Sequence, residues 1–167
     1  WVSTCAFLPD GRILSGGNDM RLCLWEAEEA KCEELIGHNG NISKMQVEGS
    51  VSLSAGYDSS LLVWSLAESS SECATGLFNG HKDAVIDFAW NNSLAVSGDR
   101  AGVLAFWDIN RSEPLRVAKG HGSAVGKVCF YSDDQVNNVV LTAGLRDGRV
   151  NVYDMRSGQM VKAAIVH

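Results

Sequence analysis

Serine, histidine and aspartate return through successive segments of this chain: His38 with Ser54 and Asp58, His81 with Ser97, His121 with Asp147. A hydroxyl, an imidazole and a carboxylate are the parts of a nucleophilic hydrolase, in which the base activates the hydroxyl and the acid orients the base. The four histidines, His38, His81, His121 and His167, are also potential metal ligands. Repetition argues against both chemistries. An enzyme needs one site with an exposed nucleophile, whereas these types recur about every forty residues and each histidine falls in a different segment. No G-x-S-x-G elbow, G-x-x-x-x-G-K-[ST] phosphate loop or G-x-G-x-x-G after a strand accompanies them. The expectation is therefore no catalytic residue, no metal and no cofactor.

An aromatic keeps step with the histidines, at Trp25, Trp64, Trp107 and Tyr153. Two markers on one period define an internal repeat, with units at residues 1–36, 37–79, 80–119 and 120–167. In the first, Trp1 to Leu8, Arg12 to Ser15 and Leu22 to Trp25 read as strands, with Pro9-Asp10-Gly11 as a turn. The second repeats them as Ile42 to Val47, Val51 to Ser54 and Leu61 to Trp64, and the third as Ala84 to Trp90, Leu94 to Ser97 and Val103 to Trp107. The fourth has a longer polar connection, Tyr131 to Asn138, and a last strand at Gln159 to Val166. Apolar residues cluster in short runs instead of at helical spacing, so each unit offers about four strands. Such a sheet covers its faces only by stacking on neighbours, and radial stacking gives a propeller. His167 stands where a fifth unit's histidine belongs and the chain opens without Met, so the expectation is part of a larger ring or an arc completed by another polypeptide.

Composition excludes some functions. The chain has 167 residues, 46% hydrophobic and 20% charged, with a formal charge of −6. That balance opposes general nucleic-acid or membrane-surface binding, which needs clustered cations. The five cysteines are odd in number and show no C-x-x-C spacing, so reduced thiols in a cytoplasmic or nuclear protein are expected. The serine run Ser69 to Ser71 reads as an exposed loop. No apolar run is long enough to span a bilayer, and no membrane insertion is expected.

With these residues in place the chain resembles the WD-repeat (G-beta-like repeat) beta-propeller family. There a Gly-His opens the unit, a hydroxyl ends the second strand, an Asp sits in the next turn, and Trp-Asp closes the third strand. Gly37-His38, Ser54, Asp58 and Trp64 match, with Ser65 in place of the final Asp. The first unit supplies Ser15, Asp19 and Trp25, and the third Gly80-His81, Ser97 and Trp107-Asp108 with Ala101 at the turn position. The fourth supplies Gly120-His121, Asp147 and Tyr153-Asp154, with Ala143 at the hydroxyl position and Thr142 one place earlier. The resemblance implies an all-β WD-repeat propeller of about four four-stranded blades, part of an about seven-bladed ring, with each set pinning its blade. Where Ala101 replaces the carboxylate, Asp99 is expected to bond His81 or the turn backbone.

The resemblance also implies a noncatalytic scaffold or adaptor that binds proteins or peptides on the rim. Rim positions would come from the start of each first strand, Ser3, Asn41, Ser43, Ala84, Ile86, Ala124 and Gly126, and from the residue before each turn Asp, Asn18, Tyr57, Arg100 and Arg146. Aromatics and arginines carry most interface energy, which favours Tyr57, Arg100 and Arg146. The run Val140 to Arg156 is similar to the WD-x-R box of substrate receptors for cullin ubiquitin ligases, whose adaptor would be met by Arg156. An accessory domain on a larger enzyme chain is the remaining alternative.

Overall fold

The computed structural model describes residues 1–26, 28, 31–67, 74–111, 113–131 and 139–166. Ser69 to Ser71, Cys73, most of the connection after Tyr131, and His167 lie outside the described residues. Among the described residues every regular element is a strand. The first sheet holds β1 (Val2–Phe7), β2 (Ile13–Gly17), β3 (Arg21–Glu26) and β4 (Lys31–Ile36). The second holds β5 (Ile42–Glu48), β6 (Val51–Gly56), β7 (Ser60–Ser65) and β8 (Gly76–Asn79). The third holds β9 (Val85–Asn91), β10 (Leu94–Asp99), β11 (Val103–Asp108) and β12 (Arg116–Lys119). The fourth holds β13 (Val125–Tyr131), β14 (Val139–Gly144), β15 (Arg149–Asp154) and β16 (Met160–Ile165). Each is an antiparallel meander whose strands pair in chain order.

Three apolar cores lie between consecutive sheets. Leu14, Leu22 and Leu24 of the first sheet meet Ile42, Met45 and Trp64 of the second. Leu53 and Leu61 meet Phe88, Trp90 and Trp107 in the next, and Val96, Leu104 and Phe106 meet Val128, Val140 and Tyr153 in the last. Neighbouring sheets touch mainly through their first strands, β1 with β5, β5 with β9 and β9 with β13. The stack therefore converges on those strands and fans apart at the fourth ones, which is the arrangement of propeller blades.

Side chains stitch the converging strands where no backbone ladder joins them. Gln46 donates from Nε2 to the Trp90 carbonyl at 2.7 Å and accepts from the Trp90 amide at 3.2 Å. Asp87 takes the Val128 amide at 2.7 Å and sits between Lys44 at 2.6 Å and Lys127 at 3.4 Å. Its burial is tolerated because each carboxylate oxygen is met by a cation or an N–H. No helix among the described residues is long and apolar enough to cross a membrane.

Candidate functional site: buried tetrads and an exposed rim

In the second sheet four side chains form one continuous chain of bonds. Trp64 donates from Nε1 to Ser54 Oγ at 2.8 Å, Ser54 Oγ lies 2.7 Å from His38 Nε2, and His38 Nδ1 lies 2.9 Å from Asp58 Oδ2. Directionality follows from the inventory of donors. The indole can only donate, so Ser54 turns its own proton to Nε2, and Nδ1–H of a neutral imidazole points at the carboxylate. Asp58 accepts further bonds from the amides of Asn39 and Ser60 and from Ser60 Oγ. Loop, second strand, turn and third strand are thereby tied together.

Gly37 precedes this histidine for a steric reason. A Cβ there would lie 2.8 Å from Cη2 of Trp64, so the indole packs against bare backbone. Gly80 bears the same relation to Trp107, again at 2.8 Å.

The relative positions are those of a hydrolase triad, but access differs. Ser54 and Ser97 have no exposed surface, and an indole N–H occupies each hydroxyl oxygen. A substrate carbonyl would reach neither without separating two sheets. Burial lowers the pKa of His38 and His81 despite the opposing pull of Asp58 and Asp99. Burial pushes the Asp58 carboxyl up, but bonds from Ser60, the Asn39 amide and His38 together outweigh it and hold the pKa below the usual carboxylate range.

The third sheet repeats the tetrad with its acid relocated. Trp107 donates to Ser97 at 2.8 Å, Ser97 lies 2.6 Å from His81 Nε2, and Asp99 lies 2.9 Å from His81 Nδ1. The other Asp99 oxygen takes the Val103 amide, so this carboxylate serves both the imidazole and the turn.

The fourth sheet corrects two sequence assignments. The hydroxyl that meets His121 is Thr142, at 2.8 Å, because Thr142 stands opposite Asn151 as Ser54 stands opposite Leu62. Ala143 is the counterpart of Ala55. The turn then carries one residue more than its counterpart before Asp147 bonds His121 at 2.9 Å. Tyr153 is buried against Phe106 with centroids 5.7 Å apart, and it supplies packing where Trp64 supplies an indole donor. In the first sheet Trp25 donates to Ser15 at 2.8 Å, while Asp19 accepts from the Arg21 amide at 3.4 Å. Trp25 is 37% exposed against 1% for Trp64, because its face of the first sheet has no described sheet upon it.

The rim positions separate into three roles. The amides of Asn18, Tyr57, Arg100 and Leu145 bond the carbonyls of Trp1, Asn41, Ala84 and Ala124 respectively, each at 2.8–2.9 Å. These four residues are therefore equivalent, and the fourth member of the row is Leu145. Arg146 is the neighbouring extra residue and its amide bonds Ser123 Oγ. Ser3, Ser43, Ile86 and Gly126 fall where the first strands shift register, positions that aim a side chain out of the ladder. Ser3 Oγ is engaged by the Gly16 and Ile42 carbonyls, and Ser43 Oγ by that of Ala55. Ala84 is 3% exposed and offers a carbonyl in place of a surface. Arg156 is exposed in the turn after β15, where Asp154 accepts from Ser157. Sequence spacing missed Leu145 because only strand register reveals the added residue.

Comparison with known proteins agrees with this geometry. The family described as "WD domain, G-beta repeat" matches residues 1–26 and 112–154. WD repeat-containing protein 1 of Xenopus tropicalis is 26% identical over 95% of this chain and 27% of its own length. The guanine nucleotide-binding protein subunit beta of Oryza sativa subsp. indica is 26% identical over 97% of this chain and 46% of its own length. An F-box/WD repeat-containing protein, sel-10 of Caenorhabditis elegans, is 28% identical over 72% of this chain and 22% of its own length. The chain thus spans less than half the length of these relatives. Among solved structures, a chain of the Mitotic Checkpoint Complex superimposes with a TM-score of 0.88 at 19% identity, covering 99% of this chain and 51% of that one.

Proposed function

We propose that the chain, whose four sheets repeat the pattern of the WD repeats it resembles, is a noncatalytic scaffold whose rim binds protein partners. The observation that carries this reading is the row Asn18, Tyr57, Arg100 and Leu145, one residue per sheet, each held by the same backbone bond and each exposed. Rigid sheets present the row, so little conformational freedom is lost on binding. Affinity capture with the protein and its Tyr57→Ala/Arg100→Glu variant tests it. The rim variant should lose partners that an Arg111→Glu control keeps. An identical bound set in all three would overturn the proposal.

A second reading is an adaptor-docking role in a ubiquitin ligase. Arg156 stands exposed two residues after Asp154, in the order of the box noted in the sequence, and an F-box/WD repeat-containing protein is among the relatives. A guanidinium suits bidentate pairing with an acidic partner. Arg156→Ala should abolish adaptor pull-down, and undiminished pull-down would end this reading.

A further inference from the structure

Charge on the rim is divided. Around the third and fourth sheets stand the exposed cations Lys82, Arg100, Lys119, Arg146 and Arg149. Three carboxylates stand among them, two turned inward and one paired within the set. Asp99 and Asp147 turn inward onto His81 and His121, and Asp83 pairs with Arg100 at 2.8 Å. Around the first two sheets the balance reverses, with Asp19 exposed and Arg21 paired to Glu34. A chain of net charge −6 therefore carries an excess of cations over carboxylates on one half of one face.

Apolar surface borders that charge. Tyr57 is 49% exposed and Leu145 63% exposed, and they occupy the row positions on either side of Arg100. The extra residue in the fourth turn places Arg146 directly beside Leu145. Aromatic, guanidinium, aliphatic and guanidinium groups thus succeed one another across three sheets.

We propose that this half of the rim binds an acidic peptide segment carrying an apolar anchor, its carboxylates meeting Arg100 and Arg146 and its anchor packing between Tyr57 and Leu145. The proposal rests on the rim reading above and adds the partner's chemistry. Guanidinium pairs with carboxylate bidentately, and opposite potentials steer encounter and fix register.

The test is selection of peptides from a random displayed library on the immobilised protein, followed by fluorescence anisotropy of the winners against the variants. Selected peptides should be acidic with a hydrophobic residue, and their binding should weaken as salt rises. Arg100→Glu/Arg146→Glu should lower their affinity about tenfold or more, Leu145→Ala several-fold, and Arg111→Glu not at all. Should the double reversal fail to fold by circular dichroism, Arg100→Gln/Arg146→Gln reads the same contacts with a smaller loss. Neutral or basic winners, no winners, equal binding by the variants, or equal displacement by polyuridine RNA would overturn the proposal. Partner capture that depends on the rim without any acidic preference would sink this inference and leave the scaffold role standing.

Discussion

Asp99 meets His81 at 2.9 Å from a position two residues closer to its strand than the one from which Asp58 meets His38 at the same distance. Strand register makes Asp99 the counterpart of Gly56 and Ala101 the counterpart of Asp58. A Cβ on Gly56 would lie 2.7 Å from both His38 Nδ1 and Asp58 Oδ1. Either site aims a side chain at the imidazole, and only one can be filled. Gly144 obeys the same exclusion beside Asp147, where a Cβ would fall 2.2 Å from the carboxylate oxygen.

Moving the acid within the second sheet should therefore be tolerated when both changes are made. Asp58→Ala leaves His38 Nδ1 with only the long 3.4 Å contact to Ser60 Oγ and should cost about 1–3 kcal/mol. Gly56→Asp alone crowds two carboxylates and should also destabilise. The double variant should be more stable than the sum of the two losses by about 1 kcal/mol or more, read from urea unfolding as a double-mutant cycle. Simple additivity would contradict the exclusion.

The fold was legible in the sequence because its markers are chemically forced. The Gly before His38 and before His81 lies under an indole, and the hydroxyl of Ser54 or Ser97 within the second strand joins indole to imidazole. Asp99 was legible too, since a buried imidazole needs a partner. What spacing could not reveal was register. One added residue in the fourth turn shifts the hydroxyl from Ala143 to Thr142 and the rim position from Arg146 to Leu145, and only the pairing of β14 with its neighbours shows it. Burial of Ala84 was equally hidden, because it depends on sheets distant in sequence.

Acid should weaken the protein over two adjoining pH ranges. The His38 and His81 pKa values are lowered in the folded state, so the unfolded chain binds more protons once pH falls below about 6.5, and stability drops there. Asp58 and Asp147 are also lowered, which adds a second loss as pH falls through and below about 4. Urea midpoints measured from neutral pH to pH 3 should fall continuously. A rise between pH 7 and 5 would mean charged, stabilising imidazoles instead.

The stitch between converging strands should show in Asp87. Asp87→Ala strands the Val128 amide and leaves Lys44 with only the Phe88 carbonyl and ring, and should cost about 2–3 kcal/mol, below the full effect of breaking a buried pair because Lys44 keeps those partners and Lys127 is largely in water. Asp87→Asn keeps an acceptor for the amide and should cost less. Equal losses would assign the effect to the lost charge and leave no contribution from the bond to the Val128 amide.

Indole hydrogen exchange tests most directly whether the repeated sets are internal fasteners. Trp64 and Trp107 donate to buried hydroxyls and are each 1% exposed, Trp25 donates from a half-open face, and Trp1 is 97% exposed. Followed by NMR on the folded chain, the Nε1–H of Trp64 and Trp107 should exchange only with opening of the sheets, that of Trp25 sooner and that of Trp1 at the free rate. Fast exchange at Trp64 and Trp107, matching Trp1, would contradict the account.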